Sequence, residues 1–90
     1  MLLSNSSKQK NYCLLANDSQ FLLEAFKGGL EPHFDKIITA IDGKEAVDEV
    51  VSKPRSYFKV IILDICMPVM DGIEACIHIK KYLESQDSGG

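Results

Sequence analysis

The sequence predicts an α/β domain in which a parallel sheet is built from strands alternating with helices. Three observations carry this. Two short apolar runs, Tyr12-Cys13-Leu14-Leu15-Ala16 and Val60-Ile61-Ile62-Leu63, are bounded by polar and turn residues, which suits strands buried on both faces. Turn and capping residues follow each run, and then apolar positions recur at helical spacing. The second run leads straight into Asp64. A carboxylate at the C-terminal end of a buried strand stands where α/β folds place their ligand sites.

The elements follow in order. Residues 1–11 include Ser4-Asn5-Ser6-Ser7-Lys8-Gln9-Lys10-Asn11 and are expected to form a flexible lead-in. The folded unit is expected over 12–85, with 86–90 as a polar, glycine-ended tail. The strand at 12–16 ends at Asn17-Asp18-Ser19, all good helix N-caps. Phe21, Leu22, Ala25, Phe26 and Leu30 then have helical spacing, and Gly28-Gly29 is expected to stop that helix. Glu31-Pro32-His33 connects to a second strand over 36–41, less apolar than the others and so expected at a sheet edge. Asp42 with Glu45 three residues on is a capping-box arrangement. It opens a helix with Ala46, Val47, Val50 and Val51 on one face, and Pro54 closes it. Ser56-Tyr57 lead into the strand that ends at Asp64. Pro68 forbids an immediate helix, and Asp71-Gly72 punctuates the loop. Ile73, Cys76, Ile77, Lys80 and Leu83 then share one helical face, broadened by Ile79. The β-α-β-α-β-α order implies a parallel sheet with right-handed crossovers.

Length and charge bound the function. Ninety residues make one domain at most, and a chain of this size buries only about 60–65% of its unfolded surface. A net charge of -3 gives no electrostatic footprint for nucleic acid or for an anionic membrane. Cys13, Cys66 and Cys76 are odd in number, with no CxxC and no Cys/His metal spacing. That argues against a disulfide framework or structural zinc and fits a reducing, cytoplasmic compartment. No apolar stretch has the length of a signal-peptide core or a membrane span.

The chemistry converges where the two apolar strands end. Both are of the buried type and are expected to be neighbours. Parallel strands about 4.8 Å apart bring their C-terminal ends side by side. One end carries Asn17-Asp18 and the other Asp64. Carboxylates so placed are hard oxygen ligands suited to Mg²⁺, which keeps several waters. The helix starting near Ser19 points its N-terminus at the same place, which favours an anion such as phosphate.

The segments Leu14-Leu15-Ala16-Asn17-Asp18-Ser19, Asp42-Gly43-Lys44-Glu45-Ala46 and Ile61 through Gly72, with its Leu-Asp-x-x-Met-Pro-x-Met-Asp-Gly pattern, resemble the receiver domain of two-component response regulators. The resemblance spans residues 12–83. It implies a flavodoxin-like (CheY-like) fold, here an incomplete βαβαβα with strand order 2-1-3. It implies that Asp64 is the phosphoacceptor, taking a phosphoryl group from a phosphohistidine on a histidine kinase or histidine phosphotransfer protein. It implies Mg²⁺ held by Asp18, Asp64 and the backbone carbonyl of Cys66, with Asn17 acting through a bound water. Asn17 stands where the family usually has an acid, and an amide there implies weaker Mg²⁺ affinity. Self-phosphorylation is the most enzyme-like activity implied.

The family's fourth strand supplies a switching Ser/Thr and its fifth a Lys that pairs with the phosphoryl group. No residue of this chain matches either. The strand ending at Asp64 is therefore expected to be a bare apolar edge, with self-association through it. The alternative reading is a truncated pseudo-receiver, a protein-binding or oligomerisation module independent of phosphorylation. A haloacid-dehalogenase-type phosphatase also uses an aspartate after an apolar strand, but it wants a second acid two residues on, where this chain has Cys66. His33 and His78 are single and unpaired, and Lys53 and Lys59 do not lie at a strand's C-terminal end.

Overall fold

The computed structural model describes residues 2–4 and 10–88, with side chains over 10–85. In chain order these are β1 (Leu2–Ser4), β2 (Tyr12–Ala16), α1 (Gln20–Leu30), one 3-10 turn (Glu31–His33), β3 (Lys36–Ala40), α2 (Gly43–Val51), β4 (Phe58–Leu63) and α3 (Gly72–Ser88). The sheet order is β1-β4-β2-β3. β2 runs parallel to both β3 and β4, so the three expected strands stand in the expected 2-1-3 order. β3, the least apolar of them, takes the outer position.

Register explains the core. Leu14 lies opposite Ile38 on one side and Ile61 on the other, and Ala16 lies between Ala40 and Leu63. Side chains two apart share a sheet face, so Leu14, Ala16, Ile61 and Leu63 look the same way. They pack with Ala46 and Val50 of α2 and Ala75, Cys76 and Ile79 of α3. Cys13, Leu15 and Ile62 look the other way, toward α1. That face is thinly covered. Leu23 is the one buried side chain of α1, and a groove of about 390 Å³ opens between Leu15 and Ile62 on the sheet and Ala25, Phe26 and Leu30 on the helix.

Each helix begins on a side chain that accepts a bond from an otherwise unpaired first-turn amide. Ser19 Oγ accepts from Leu22 N–H at 3.2 Å, Asp42 Oδ1 from Glu45 N–H at 2.7 Å, and Asp71 Oδ1 from Glu74 N–H at 2.8 Å. Glu45 reaches back, as the capping box requires, but to the amide of Ile41 at 3.2 Å.

The structure corrects several expectations. The Asp64 strand is not a bare edge. β1 pairs antiparallel with it, Leu2 opposite Ile62, Leu3 opposite Ile61 and Ser4 opposite Val60. Part of the lead-in is thus a strand, and its polar sequence context hid three residues that satisfy backbone groups β4 would otherwise leave open. The rest of 1–9 lies outside the described residues. Asn11 is tied down, its amide bonding Asp35 Oδ2 at 3.0 Å and its side-chain amide bonding the His33 carbonyl.

Gly28-Gly29 do not stop α1. Neither has positive φ, and the helix runs through both to Leu30, where Pro32 forces the 3-10 turn. The 86–90 tail is helical as far as Ser88, since no Gly or Pro lies between Gly72 at the helix start and Gly89. The buried faces of two helices are also rotated from expectation. In α3, Ala75, Cys76 and Ile79 are buried while Ile73 and Ile77 are half exposed; in α1, Phe21 stands 80% exposed.

Candidate functional site

The three parallel strands end in step, and backbone bonds carry that alignment one residue past the sheet. Asp64 N–H donates to Ala16 O at 3.0 Å, and Asn17 N–H donates to Ala40 O at 3.0 Å. Asn17, Asp18 and Asp64 are therefore brought to one edge, as the sequence predicts. Asp64 is half-buried and Asp18 exposed. Neither carboxylate has a hydrogen-bond or ion-pair partner among the described residues.

Asn17 is 6% exposed, and its Oδ1 accepts from Ser19 N–H at 2.9 Å. The side chain thus shapes the entry to α1, an Asx-turn that an amide makes as well as a carboxylate. Cys66 lies exposed in the loop between β4 and α3, and its backbone carbonyl receives no hydrogen bond among the described residues. Lys53 is engaged elsewhere, 3.0 Å from Glu49 and over the Tyr57 ring.

These donors are of the kind a hard cation takes: two carboxylates without protein partners among the described residues and a carbonyl oxygen. Among the described residues no three His, Cys, Asp or Glu side chains gather as a metal site. The expected set contains only two such side chains, Asp18 and Asp64, so the donor chemistry fits Mg²⁺ and does not suggest a thiolate or imidazole metal.

The loop after Asp64 is held at both ends. Gly72 N–H donates to Ile65 O at 2.9 Å, and Gly43 N–H, the first amide of α2, donates to Met70 O at 2.9 Å. Met67 is buried. Between these points Met70 N–H donates to Pro68 O at 2.7 Å, and Val69 has φ 68°. That is a γ-turn with a left-handed centre, rare and strained, and rarer still at a β-branched residue. Sequence reasoning missed the roles of Gly43 and Val69. Asp42-Gly43 was legible as a helix start, but not the approach of a distant loop. Nothing in Val69 signals positive φ.

Comparison with known proteins agrees with this geometry. The response regulator receiver domain family matches residues 13–86. The chain is 33% identical over 78 residues to the peroxide stress-activated histidine kinase mak1 of Schizosaccharomyces pombe, covering 87% of this chain and 5% of that one. It is 35% identical over 69 residues to the chemotaxis protein CheY of Halobacterium salinarum, covering 77% of this chain and 55% of that one. Among solved structures, a chain of the CheX-CheY-BeF3-Mg complex from Borrelia burgdorferi matches with TM-score 0.71 at 32% identity, covering 80% of this chain and 54% of that one. The response regulator domain of Thermotoga maritima CheB matches with TM-score 0.68 at 32% identity, over 82% and 55% of the two chains. The chain thus spans about half the length of that CheY and of these solved chains. With its β2-α1-β3-α2-β4-α3 order, its 2-1-3 parallel sheet and its carboxylates at the strand ends, the chain belongs to the response regulator receiver domain family.

Proposed function

We propose that this chain is a phosphoacceptor module of a two-component phosphorelay, acting in the cytoplasm, with Asp64 as acceptor. The observation that carries the reading is the alignment of β2 and β4, which sets the unpaired Asp64 carboxylate at the same edge as Asp18. The donor is a phosphohistidine on a histidine kinase or histidine phosphotransfer protein. A carboxylate oxygen of Asp64 forms the new P–O bond as the P–N bond breaks, and the imidazole leaves with the bonding electron pair. Asp18, Asp64 and the Cys66 carbonyl would hold Mg²⁺ directly, and Asn17 through a water. The ion supplies neutralisation of charge on the phosphoryl oxygens. The chain's own part is positional: β4 fixes Asp64, the clamped loop fixes Cys66, and Ser19 caps a helix whose N-terminal end faces the site.

A phosphorylation-independent module is the less favoured reading, because both carboxylates are present and unengaged. Self-association through β4 requires β1 to leave that edge first.

Amide NMR spectra of the unaltered protein test the proposal. Mg²⁺ with beryllofluoride, a phosphoryl mimic, is expected to shift the Asp18, Asp64 and Cys66 resonances, and Asp64→Asn is expected to abolish the beryllofluoride response. Shifts that survive Asp64→Asn, or none in the unaltered protein, contradict it.

A further inference from the structure

We infer that Gly43, on a different element from every expected ligand, is a positioning residue for the phosphoacceptor loop. The inference rests on the reading of Asp64 as acceptor and deepens it.

The γ-turn at Pro68-Val69-Met70 needs a restraint. Val69 adopts φ 68° and is 77% exposed, so its side chain gains little packing in return for the strain. The restraint lies one residue on. Met70 packs its side chain against the core, and its carbonyl is taken by Gly43 N–H. As the first amide of α2, Gly43 N–H has no partner within its own helix. The one bond therefore satisfies the helix end and fixes the loop.

Only glycine permits this approach. A Cβ on Gly43 would lie 2.0 Å from Met70 O and 2.7 Å from Met70 C, both backbone atoms. Gly43 does not have positive φ, so conformational freedom is not what the position demands. It demands space. The Asp42-Gly43 start of α2 and the loop carrying Cys66 thus form one mechanical unit, with Gly72 closing its far end on Ile65. A side chain at 43 must push Met70 away, and displacements of about an ångström at a site of this kind reduce function by orders of magnitude.

Two measurements test this. The first is hydrogen exchange in the unaltered protein. Coupling is reciprocal, so a clamp that positions the site must itself be tightened when the site fills. Mg²⁺ with beryllofluoride is expected to slow exchange of the Gly43 amide about tenfold more than that of Val50, inside the same helix. The second is Mg²⁺ affinity, followed by the Asp64 and Cys66 resonances. Gly43→Ala is expected to weaken it about tenfold. Ala46→Gly, which weakens the same helix away from the loop, is expected to leave it unchanged. Should Gly43→Ala fail to fold, the exchange measurement decides. Resonance shifts at Asp64 with equal slowing at Gly43 and Val50, or wild-type affinity in a folded Gly43→Ala, overturn the inference alone. Absence of any shift at Asp64 overturns the acceptor reading and the inference with it.

Discussion

The amide of Asp64 donates to the carbonyl of Ala16 at 3.0 Å, one residue beyond the last paired positions of β4 and β2. This bond, more than any side-chain contact, sets the geometry of the candidate site. It brings the end of one strand level with the end of its neighbour, where Asn17-Asp18 begins. The carboxylates of Asp18 and Asp64 follow the two strand ends, and neither has a protein partner among the described residues.

Val69 offers the clearest stability prediction. A β-branched residue at φ 68° with an exposed side chain carries strain without packing gain. Glycine takes positive φ without a Cβ clash, so Val69→Gly is expected to raise the unfolding free energy by about 1 kcal/mol. For a domain of this size that raises Tm by roughly 4–8 °C. Thermal unfolding followed by circular dichroism measures it; an unchanged or lower Tm would mean the turn is not strained.

The β1–β4 pairing predicts an oligomerisation phenotype. Removing residues 1–4 opens the β4 edge over Val60, Ile61 and Ile62. The shortened chain is expected to associate as its concentration rises, while the full chain stays monomeric over the same range. Light scattering after size exclusion distinguishes the two. A monomeric shortened chain would show that β1 is dispensable as an edge cover.

The thiols should separate by environment. Burial pushes the Cys13 thiol from an ordinary 9.0 up to about 11, whereas Cys66 is exposed. Alkylation at pH 8 is expected to modify Cys66 and to spare Cys13 until the chain unfolds. Between pH 9 and 11 the unfolded chain ionises Cys13 and the native chain does not. The stability from the protonated thiol is complete below pH 9 and is lost as pH rises to about 11. Urea titrations across that window, compared with Cys13→Ala, isolate the contribution. A slope that persists in the variant belongs to other groups.

Asp71 should matter to folding and not to chemistry. Its carboxylate caps α3 through Glu74 N–H at 2.8 Å. Asp71→Ala is expected to cost about 1 kcal/mol of stability and to keep phosphorylation at Asp64. Loss of phosphorylation in a folded Asp71→Ala protein would assign it a chemical role.

The fold was legible because its signals are local. Apolar runs of five and four residues, each ending in polar residues, mark β2 and β4, and caps at Ser19, Asp42 and Asp71 mark the helix starts. The placement of Asp18 and Asp64 at one sheet edge was legible for the same reason, since each follows its strand directly. What escaped depends on contacts between distant segments. β1 is three residues long and acquires meaning only against β4. Gly43 reads as a helix start until Met70 arrives beside it. The helical faces of α1 and α3 were misjudged because Phe21, Leu22 and Phe26, and likewise Ile73 and Ile77, have helical spacing of their own and yet are exposed, while the buried positions, Leu23 among them, lie on another face.

The most direct test of the acceptor assignment is the intact mass of the protein after incubation with Mg²⁺ and a small-molecule phosphodonor. One added phosphoryl group is expected in the wild type, dependent on Mg²⁺ and absent from Asp64→Asn. An unmodified wild type, or an equal adduct on Asp64→Asn, would contradict it.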